Sequence, residues 1–507
     1  MSSEIARRRL MQAAASLVAL ASAPAAVAKP TKGAPGRKSD ALGDLDGVAI
    51  AARIRKKDIT PLEAVDAAIA RAEAVNPKIN AIVTPMFERA RAQAKATTTP
   101  TGPFAGLPTF IKDLNDVEGV ATKNGSRAFA NNVAKSTSPY VAAVLRSGII
   151  PIGKSTTPEF GFTATTEPLL GGATRNPWNL DHSSGGSSGG AAALVAAGVT
   201  PVAHASDGGG SIRIPASVCG LFGFKPSRFR MSGDRDASEP VSISVNNCVS
   251  HSVRDSATWF AAGERTGPGA AYPAVGLVSA PTKRKLRIGI SIDGLIPGQT
   301  AHPDVRAAAE KAAKLCESLG HKVFEYKPKL DGPAFAQAFS LYWAAGAAQL
   351  VAAVAKQAPN APLDQLLEPL TLRLADMYKS APQGAGDQAV ATLKSADAAY
   401  AAMFASDIDV MLSPVLALPP VKIGEIAPDR KFEDMWAMVN AYVAYTPVEN
   451  AAGAPAISVP LGMSATGLPI GVQFAAAKGE DALLYGLAYQ IEEAAPWRAR
   501  RPPIWAG

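Results

Sequence analysis

Two segments rich in glycine and serine contain the residue types best suited to chemistry. The first is Ser183–Gly190 (SSGGSSGG), and the second is Ser206–Ser211 (SDGGGS). The apolar run Ala191–Val195 follows the first segment directly, which predicts a helix whose free N–H groups lie beside the glycines. Three glycines precede Ser211, so the backbone there has no side chains. A loop needs such a backbone when its N–H groups must come within hydrogen-bond distance of a substrate oxygen. The alternative is that both segments are tight turns.

A lysine ends an apolar stretch upstream of both segments. Residues Pro108–Ile111 (PTFI) predict a short strand, and Lys112 and Asp113 follow it. Such a lysine is often a solvated charge at a strand end. A serine hydroxyl, however, becomes a good nucleophile only when a base takes its proton. A lysine can be that base if burial without a carboxylate partner keeps it neutral.

In combination, these residues resemble the amidase signature family of serine hydrolases. The resemblance is carried by both glycine and serine segments and by the runs Gly106–Asp113 (GLPTFIKD), Thr174–Asn179 (TRNPWN), Asp207–Pro215 (DGGGSIRIP) and Gly220–Pro226 (GLFGFKP). It is dense from about residue 45 to 265 and loose between about 270 and 405. It returns at Ser413–Pro414, Thr446–Pro447 and Gly467–Gln473.

The resemblance implies a role for each candidate residue. Ser211 is expected to be the nucleophile, Lys112 the base, and Ser187 a bridging serine on a cis peptide that relays the proton. The donors expected to hold the oxyanion are the backbone N–H groups of Gly208, Gly209, Gly210 and Ser211. Asp207 and Arg213 are expected to pair and brace the loop.

The fold class implied is α/β, a single large α/β/α domain with a mixed central sheet covered by helices. The pattern agrees, because short β-rich runs alternate with helical ones and no internal repeat is present. Predicted helices run from Thr60 to about Ala74 and over Met86–Ala96, Ala191–Ala197, Val305–Leu319 and much of 331–405. Predicted strands are Thr109–Ile111, Ile149–Ile152, Lys285–Ile290, Lys322–Tyr326 and a pair, Val410–Leu412 with Ala456–Val459.

One motif points to a different function and is rejected. Residues Gly148–Ser155 (GIIPIGKS) match every fixed position of a phosphate-binding P-loop. Pro151 has no N–H to offer a phosphate, and the three isoleucines favour a buried strand. Pro158 restrains Thr157 away from the helical conformation that the motif requires next. We therefore predict no nucleotide partner.

The N-terminal residues predict export. Three arginines, Arg7–Arg9, precede an apolar run that ends in the cleavage pattern Ala26–Ala28. Residues 1–28 are predicted to be a signal peptide, 29–44 a linker and 45–507 the amidase domain. The arginine pair followed by Leu10-Met11 fits a twin-arginine signal, and a general secretory signal is the alternative. We expect a periplasmic or secreted protein without stable membrane insertion after cleavage.

Composition excludes further classes of protein. The chain has 507 residues, of which 47% are hydrophobic and 19% charged, so a large buried core is expected. The net charge is +8, but lysine and arginine are scattered among acidic residues, and no nucleic-acid partner is predicted. A monomer or a homodimer is expected.

Cysteines and histidines show no pattern typical of a disulfide framework or a metal site. Cys219, Cys248 and Cys316 lack CxxC spacing, and the five histidines include no HExxH. We predict buried cysteines, no metal and no cofactor. His182 and His204 lie near the two segments and are predicted to make local hydrogen bonds rather than a catalytic triad.

Expectations about the substrate come from the aromatic residues and from the C-terminal half of the chain. Six aromatic residues lie in or shortly after the loosely matching part and are candidates for a pocket or for core packing: Tyr342, Trp343, Phe432, Trp436, Tyr442 and Tyr445. The tail Ala495–Pro503 and residues 285–330 are similar to the branch containing 6-aminohexanoate-cyclic-dimer hydrolases. An exported amidase for a largely apolar linear or cyclic amide is the main expectation. The alternatives are a urethane or aryl-acylamide hydrolase, the glutaminase subunit of an amidotransferase, and a binding protein on an inactive scaffold.

Overall fold

The computed structural model describes residues 40–234 and 241–507. The predicted signal peptide and most of the predicted linker lie outside the described residues. Residues Ala41–Gly507 form one structural unit. Leu42 is already buried in its core.

An eight-stranded mixed sheet forms the centre of this unit. Its strands, in spatial order, are β10 (Lys322–Glu325), β9 (Arg287–Ile290), β11 (Val410–Pro414), β13 (Pro469–Ala476), β12 (Ala456–Met463), β7 (Phe222–Lys225), β8 (Val245–Ser250) and β6 (Val202–Asp207). The first three are parallel, and every later pairing is antiparallel.

A three-stranded sheet lies beside the β6 edge. It has the order β1 (Ile82–Pro85), β3 (Ile150–Ser155) and β2 (Pro108–Lys112), and a two-stranded ribbon pairs β4 (Arg175–Asn176) with β5 (Asn179–Ser183). The hydroxyl of Thr109 in β2 donates to the carbonyl of Val202 in β6 at 2.8 Å. This contact joins the beginnings of β2 and β6, so the two strands lie side by side.

Helices cover the sheets. They are Gly47–Arg55, Pro61–Ile79, Phe87–Ala96, Pro139–Leu145, Gly189–Ala196, Arg213–Cys219, Val253–Gly263, Pro303–Ser318, Gly332–Gln357, Leu363–Leu366, Pro369–Lys379, Ala385–Ser406, Phe432–Tyr442, Pro447–Ala452 and Asp481–Ala494, with single 3₁₀ turns at Arg127–Phe129 and Glu159–Gly161. Helix Gly189–Ala196 is buried at every residue, which explains why its sequence is all small or apolar.

The predicted α/β class is confirmed, with two differences in detail. The helix that starts after Thr60 begins with a capping box and continues past the predicted Ala74 to Ile79, because the left-handed Asn80 and not an earlier residue ends it. Strands β11 and β12 both form, but β13 lies between them, so the predicted direct pairing of the two is wrong.

The segment that matches a P-loop is a strand. Residues Ile150–Ser155 form β3 and are buried throughout. Lys154 is fully buried, 3.1 Å from the Asp113 carboxylate, and donates to the hydroxyl of Thr122 at 2.9 Å. Its side chain is therefore committed to neighbours within the protein.

Within the part of the chain that the structure describes, one helix is long and apolar enough to cross a membrane, Gly332–Gln357. This helix packs against Pro369–Lys379 and Ala385–Ser406. Its neighbours are therefore other helices of the same unit.

Candidate active site

Lys112 lies at the end of β2 and is fully buried among serine hydroxyls. Its Nζ is 2.8 Å from Ser187 Oγ, 2.8 Å from Ser188 Oγ and 3.1 Å from Ser206 Oγ. The Ser188 hydroxyl donates to the carbonyl of Ser206 at 3.2 Å, so Ser188 Oγ accepts from the lysine. A neutral lysine can then donate to Ser188 and Ser206 and accept a proton from Ser187.

The surroundings of Lys112 favour its neutral form. Burial lowers its pKa to about 7, while the negative charge of Asp207 acts in the opposite direction. Among the described residues, no carboxylate lies within ion-pair distance of Lys112. Near neutral pH a large fraction of the amine is therefore available to accept a proton.

The backbone of Lys112 is held by a histidine. Its N–H donates to His204 Nδ1 at 3.1 Å, and His204 Nε2 lies 3.2 Å from Asn246 Oδ1. Nδ1 must be unprotonated to accept, so Nε2 carries the hydrogen and donates to Asn246. Burial lowers the pKa of His204 to about 3, so the ring is neutral. The predicted local hydrogen-bonding role of His204 is confirmed.

Ser187 follows a cis peptide bond, Gly186–Ser187, and is buried beside Lys112. Its backbone has little free space on either side. A Cβ on Gly186 would lie 2.5 Å from the carbonyl oxygen of Thr165, and a Cβ on Gly161 would lie 3.0 Å from Ser187 Oγ. Glycine at these two positions therefore lets the chain pack closely around the hydroxyl.

Ser211 lies just before helix Arg213–Cys219 and is 8% exposed. Its hydroxyl makes no hydrogen bond to any residue that the structure describes, and it faces the same cavity as Ser187. Lys112 and Ser187 are thus in direct contact, and Ser187 and Ser211 line the same cavity. This arrangement brings together all three predicted side chains.

The four predicted oxyanion donors differ in whether their N–H group already has an acceptor within the protein. The N–H of Gly210 donates to Asp207 Oδ1 at 2.7 Å, so its inclusion in the predicted set needs correction. Gly210 has φ +127°, and a Cβ there would lie 2.3 Å from Thr446 Oγ1. The N–H groups of Gly208, Gly209 and Ser211 have no acceptor among the described residues. They are the donors left for a substrate oxygen.

A buried polar network holds the Ser211 loop in place. Arg213 contacts Asp207 through both Nε and Nη2 at 3.0 Å, which confirms the predicted pair. Arg213 also donates to Glu449 at 3.0 Å and Gln473 at 2.8 Å, and Asn450 Nδ2 donates to Asp207 at 2.9 Å. Burial alone would raise the pKa of Asp207, but Arg213 and these hydrogen bonds hold it well below its usual value.

Sequence reasoning missed several members of this arrangement. Ser188 and Ser206 contact Lys112, yet each is only a neighbour of a predicted residue in the sequence. Glu449 and Asn450 lie in the short helix Pro447–Ala452. The family resemblance includes Thr446–Pro447 at the start of this helix, and this is the only sequence feature that points to it. The resemblance assigns no function to these residues.

A first apolar chamber opens on Ser211, and we call it the Trp436 chamber. It has a volume of about 80 Å³, and its walls include Gly186, Phe339, Trp343, Trp436 and Asn440. None of the described side chains that line it is charged. A charged group placed there would lose its hydration without gaining a partner.

A second chamber, the Gly346 chamber, also opens on Ser211. It has a volume of about 230 Å³, and its walls include Leu114, Ser187, Tyr342 and Gly346. Again, the described lining contains no charged side chain. Four residues line both chambers: Gly161, Phe162, Ser211 and Trp343.

The six candidate aromatic residues divide between pocket and core. Tyr342, Trp343 and Trp436 line the chambers, and Phe432 stacks on Trp436 with ring centres 5.8 Å apart. Tyr442 and Tyr445 are buried, and Tyr445 donates to the carbonyl of Ile292. A larger open groove of about 910 Å³ runs beside β9 and β10, but it contains none of the candidate site residues.

The cysteines and acidic groups of the described residues form no metal centre. Cys219, Cys248 and Cys316 are buried as free thiols, as predicted. No cluster of three or more His, Cys, Asp or Glu side chains within residues 40–234 and 241–507 is placed to hold a metal ion.

The sequence model of the family described as Amidase matches residues 63–485. The chain belongs to the amidase signature family. It is 40% identical to the putative amidase AmiC of Mycobacterium tuberculosis over 466 residues, which is 92% of this chain and 97% of that protein. It is 35% identical to the 6-aminohexanoate-cyclic-dimer hydrolase of Paenarthrobacter ureafaciens, covering 90% of this chain and 96% of that protein.

The fold agrees with this assignment. A structure of 6-aminohexanoate cyclic dimer hydrolase complexed with substrate aligns with a TM-score of 0.83 at 32% identity, over 91% of this chain and 99% of that chain. The protein is therefore an amidase, a hydrolase of C–N bonds that acts on a small-molecule amide. The predicted family and enzyme class are confirmed.

Proposed function

We propose that this amidase cleaves an uncharged, largely apolar amide through an acyl-enzyme on Ser211, with Lys112 as the base and Ser187 as the proton relay. The observation that carries the proposal is the 2.8 Å contact between Lys112 Nζ and Ser187 Oγ at a buried lysine that has no carboxylate within ion-pair distance among the described residues. A lysine in such a place can take a proton at neutral pH.

In the first step, Ser211 Oγ attacks the carbonyl carbon of the amide. The Ser211 proton passes to Ser187 as the Ser187 proton passes to neutral Lys112. The carbonyl π electrons move onto oxygen, where the N–H groups of Gly208, Gly209 and Ser211 stabilise the charge. Each such donor contributes ~2.7–4 kcal/mol in other enzymes.

In the second step, the tetrahedral intermediate collapses and the C–N bond breaks. Ser187 gives its proton to the departing nitrogen and regains one from protonated Lys112. The amine leaves neutral, and the acyl group stays on Ser211 as an ester. Water then attacks the ester along the same relay in reverse, giving the carboxylic acid and free Ser211.

The chamber walls support an apolar substrate. Their described side chains are aromatic, aliphatic or neutral polar, so a substrate carboxylate or ammonium would be desolvated without a partner. This disfavours glutamine and hence the glutaminase alternative. A linear or cyclic amide, an aryl acylamide or a urethane can each be accommodated chemically, and the relative whose name specifies a cyclic dimer makes cyclic amides the first choice for assay.

Trapping of the acyl group tests this mechanism. Hydroxylamine added during turnover should compete with water for the ester on Ser211 and yield a hydroxamate. Ser211→Ala should yield neither acid nor hydroxamate, whereas a surface variant such as Lys431→Ala should behave as wild type. Normal turnover of a good amide with no hydroxamate at any hydroxylamine concentration would contradict the acyl-enzyme.

Export is proposed from residues 1–28 alone. The arginine pair before an apolar run that ends in Ala-Val-Ala supports a cleaved signal of the twin-arginine type. Cell fractionation of the full chain should place a shortened protein outside the cytoplasm. Replacing Arg7 and Arg8 with lysine should block this if the signal is twin-arginine, and should leave it intact if the general secretory route is used.

A further inference from the structure

Ser211 lies at the junction of two chambers that differ in their contact with the proton relay. Ser187 lines the Gly346 chamber, together with Ser206. Its neighbour Gly186 lines the Trp436 chamber instead. Of the three described serines whose hydroxyls contact Lys112, Ser187 and Ser206 line the Gly346 chamber, Ser188 lines neither chamber, and none lines the Trp436 chamber.

This asymmetry fixes the direction in which an amide can react. The tetrahedral carbon on Ser211 has three other substituents: the oxyanion, the departing nitrogen and the acyl chain. The nitrogen must lie within hydrogen-bond reach of the group that protonates it. If Ser187 is that group, as proposed above, the amine points into the Gly346 chamber and the acyl chain into the Trp436 chamber.

We propose that the Trp436 chamber selects the acyl part of the substrate and the Gly346 chamber selects the amine part. This inference rests on the proposed function, because it uses the role of Ser187. The Gly346 chamber is the larger of the two, about 230 Å³ against about 80 Å³, so the amine part is expected to be the bulkier neutral group. The substrate class is therefore an uncharged secondary amide with a short acyl segment beside the scissile bond.

One helix offers a matched pair of positions for testing the assignment. Ser340 and Gly346 both belong to helix Gly332–Gln357, and they line the Trp436 and Gly346 chambers respectively. A Cβ at Gly346 would meet no atom within 4 Å, so a larger side chain has room there. The hydroxyl of Ser340 makes no hydrogen bond within the described residues. Leucine at either position favours the helix at least as much as the present residue.

The experiment measures kcat/KM for Gly346→Leu and Ser340→Leu on a grid of uncharged amides. Acetyl, butyryl and hexanoyl groups are each combined with ammonia, methylamine and aniline as the amine part. Gly346→Leu should lower the preference for anilides over primary amides at least ~10-fold, whichever acyl group is present. Ser340→Leu should lower the preference for hexanoyl over acetyl by a similar factor, whichever amine is present.

Each alternative outcome has a distinct meaning. If Gly346→Leu changed acyl preference and Ser340→Leu changed amine preference, the orientation would be overturned while the acyl-enzyme mechanism stood. Gly346→Ala, which adds one methyl group, should shift amine preference in the same direction by a smaller factor. No turnover of any of the nine amides by the wild type would overturn the neutral, apolar substrate class assigned to the chambers.

The hydroxylamine assay separates this inference from the proposed function. Amides that share an acyl group should give the same ratio of hydroxamate to acid, because they share an acyl-enzyme once the amine has left. A ratio that depends on the amine would contradict the acyl-enzyme itself. A constant ratio of hydroxamate to acid, combined with leucine variants that each change the preference assigned to the other chamber, would contradict only the chamber assignment.

Discussion

The Ser211 loop is held by hydrogen bonds and ion pairs, whereas the chamber walls are held by apolar packing. The loop is held by Asp207, whose carboxylate accepts from Arg213, Asn450 and the N–H of Gly210, all in a fully buried site. The walls are helices lined with aromatic and aliphatic side chains, such as Phe339 and Trp343 of helix Gly332–Gln357, whose rings stack with centres 5.8 Å apart. Directional bonds fix the reacting atoms, whereas packing shapes the space around the substrate. Changes in the two regions should therefore have different consequences.

The largest effect is expected from the nucleophile. Ser211→Ala should lower kcat by ~10⁴-fold or more, because the acyl-enzyme route is lost. The hydroxyl makes no hydrogen bond to a described residue, so the free energy of unfolding should change little. Steady-state kinetics together with urea denaturation measure both quantities. Ordinary kcat in the variant would show that the nucleophile lies elsewhere.

The next largest effect is expected on stability. Arg213→Met would leave the buried carboxylates of Asp207 and Glu449 without their cation, and removal of one partner of a buried ion pair costs ~3–5 kcal/mol. The exposed pair Arg373–Glu433 is the control, and Arg373→Ala should cost no more than ~1 kcal/mol. Equal losses of unfolding free energy in the two variants would contradict the bracing role of the network.

The same contrast explains what the sequence could predict. Lys112, Ser187, Ser211, Asp207 and Arg213 occupy short runs whose glycines and polar residues are dictated by close backbone approach, so their spacing is informative. The hydrogen bond from the Gly210 N–H to Asp207 could not be predicted from the sequence, because it depends on the φ of +127° at Gly210. Partners that come from distant segments leave no local pattern.

For the chamber walls, the sequence could predict the helices but not which of their side chains line the chambers. Tyr342, Trp343 and Trp436 line the chambers, while Tyr442 is buried in the core, and all four are aromatic residues in helical segments. Which face of a helix meets the cavity depends on how the helices pack on one another, which a single sequence does not encode locally. Strand β13 lies between β11 and β12 for the same kind of reason, since strand order is a long-range property.

The pH dependence of activity offers a test of intermediate size. The pKa of Lys112 is lowered to about 7 by burial, and the base works only when it is neutral. Activity should therefore rise with pH through about 7 and level off above it, with kcat/KM at pH 5 ~100-fold below the plateau. The midpoint belongs to the coupled group of Lys112, Ser187 and Ser211. A flat profile between pH 5 and 9 would argue against a lysine base.

The positioning of Lys112 predicts a smaller effect. His204→Leu removes the acceptor for the Lys112 N–H and should lower kcat ~10-fold with little change in KM, because the base shifts while the chambers remain. His204→Asn places an amide oxygen where Nδ1 now accepts, and it should recover part of the loss. If His204→Leu changed only the free energy of unfolding, the histidine would be structural alone.

Changes in the chamber walls are expected to alter substrate preference and to leave the proton relay unchanged. Trp436→Ala removes a half-buried ring that stacks on Phe432 and lines the acyl side, so the chamber becomes larger. The preference for hexanoyl over acetyl amides should rise ~10-fold, within the range that pocket changes of a few methylenes produce. The pH midpoint should not move, because Trp436 is absent from the surroundings of Lys112. Selectivity measured across the acyl series and a pH profile on the best substrate provide the two readouts. A shift of the pH midpoint together with the change in selectivity would show that packing of the walls affects the hydrogen-bonded loop. That result would contradict the independence of the two regions.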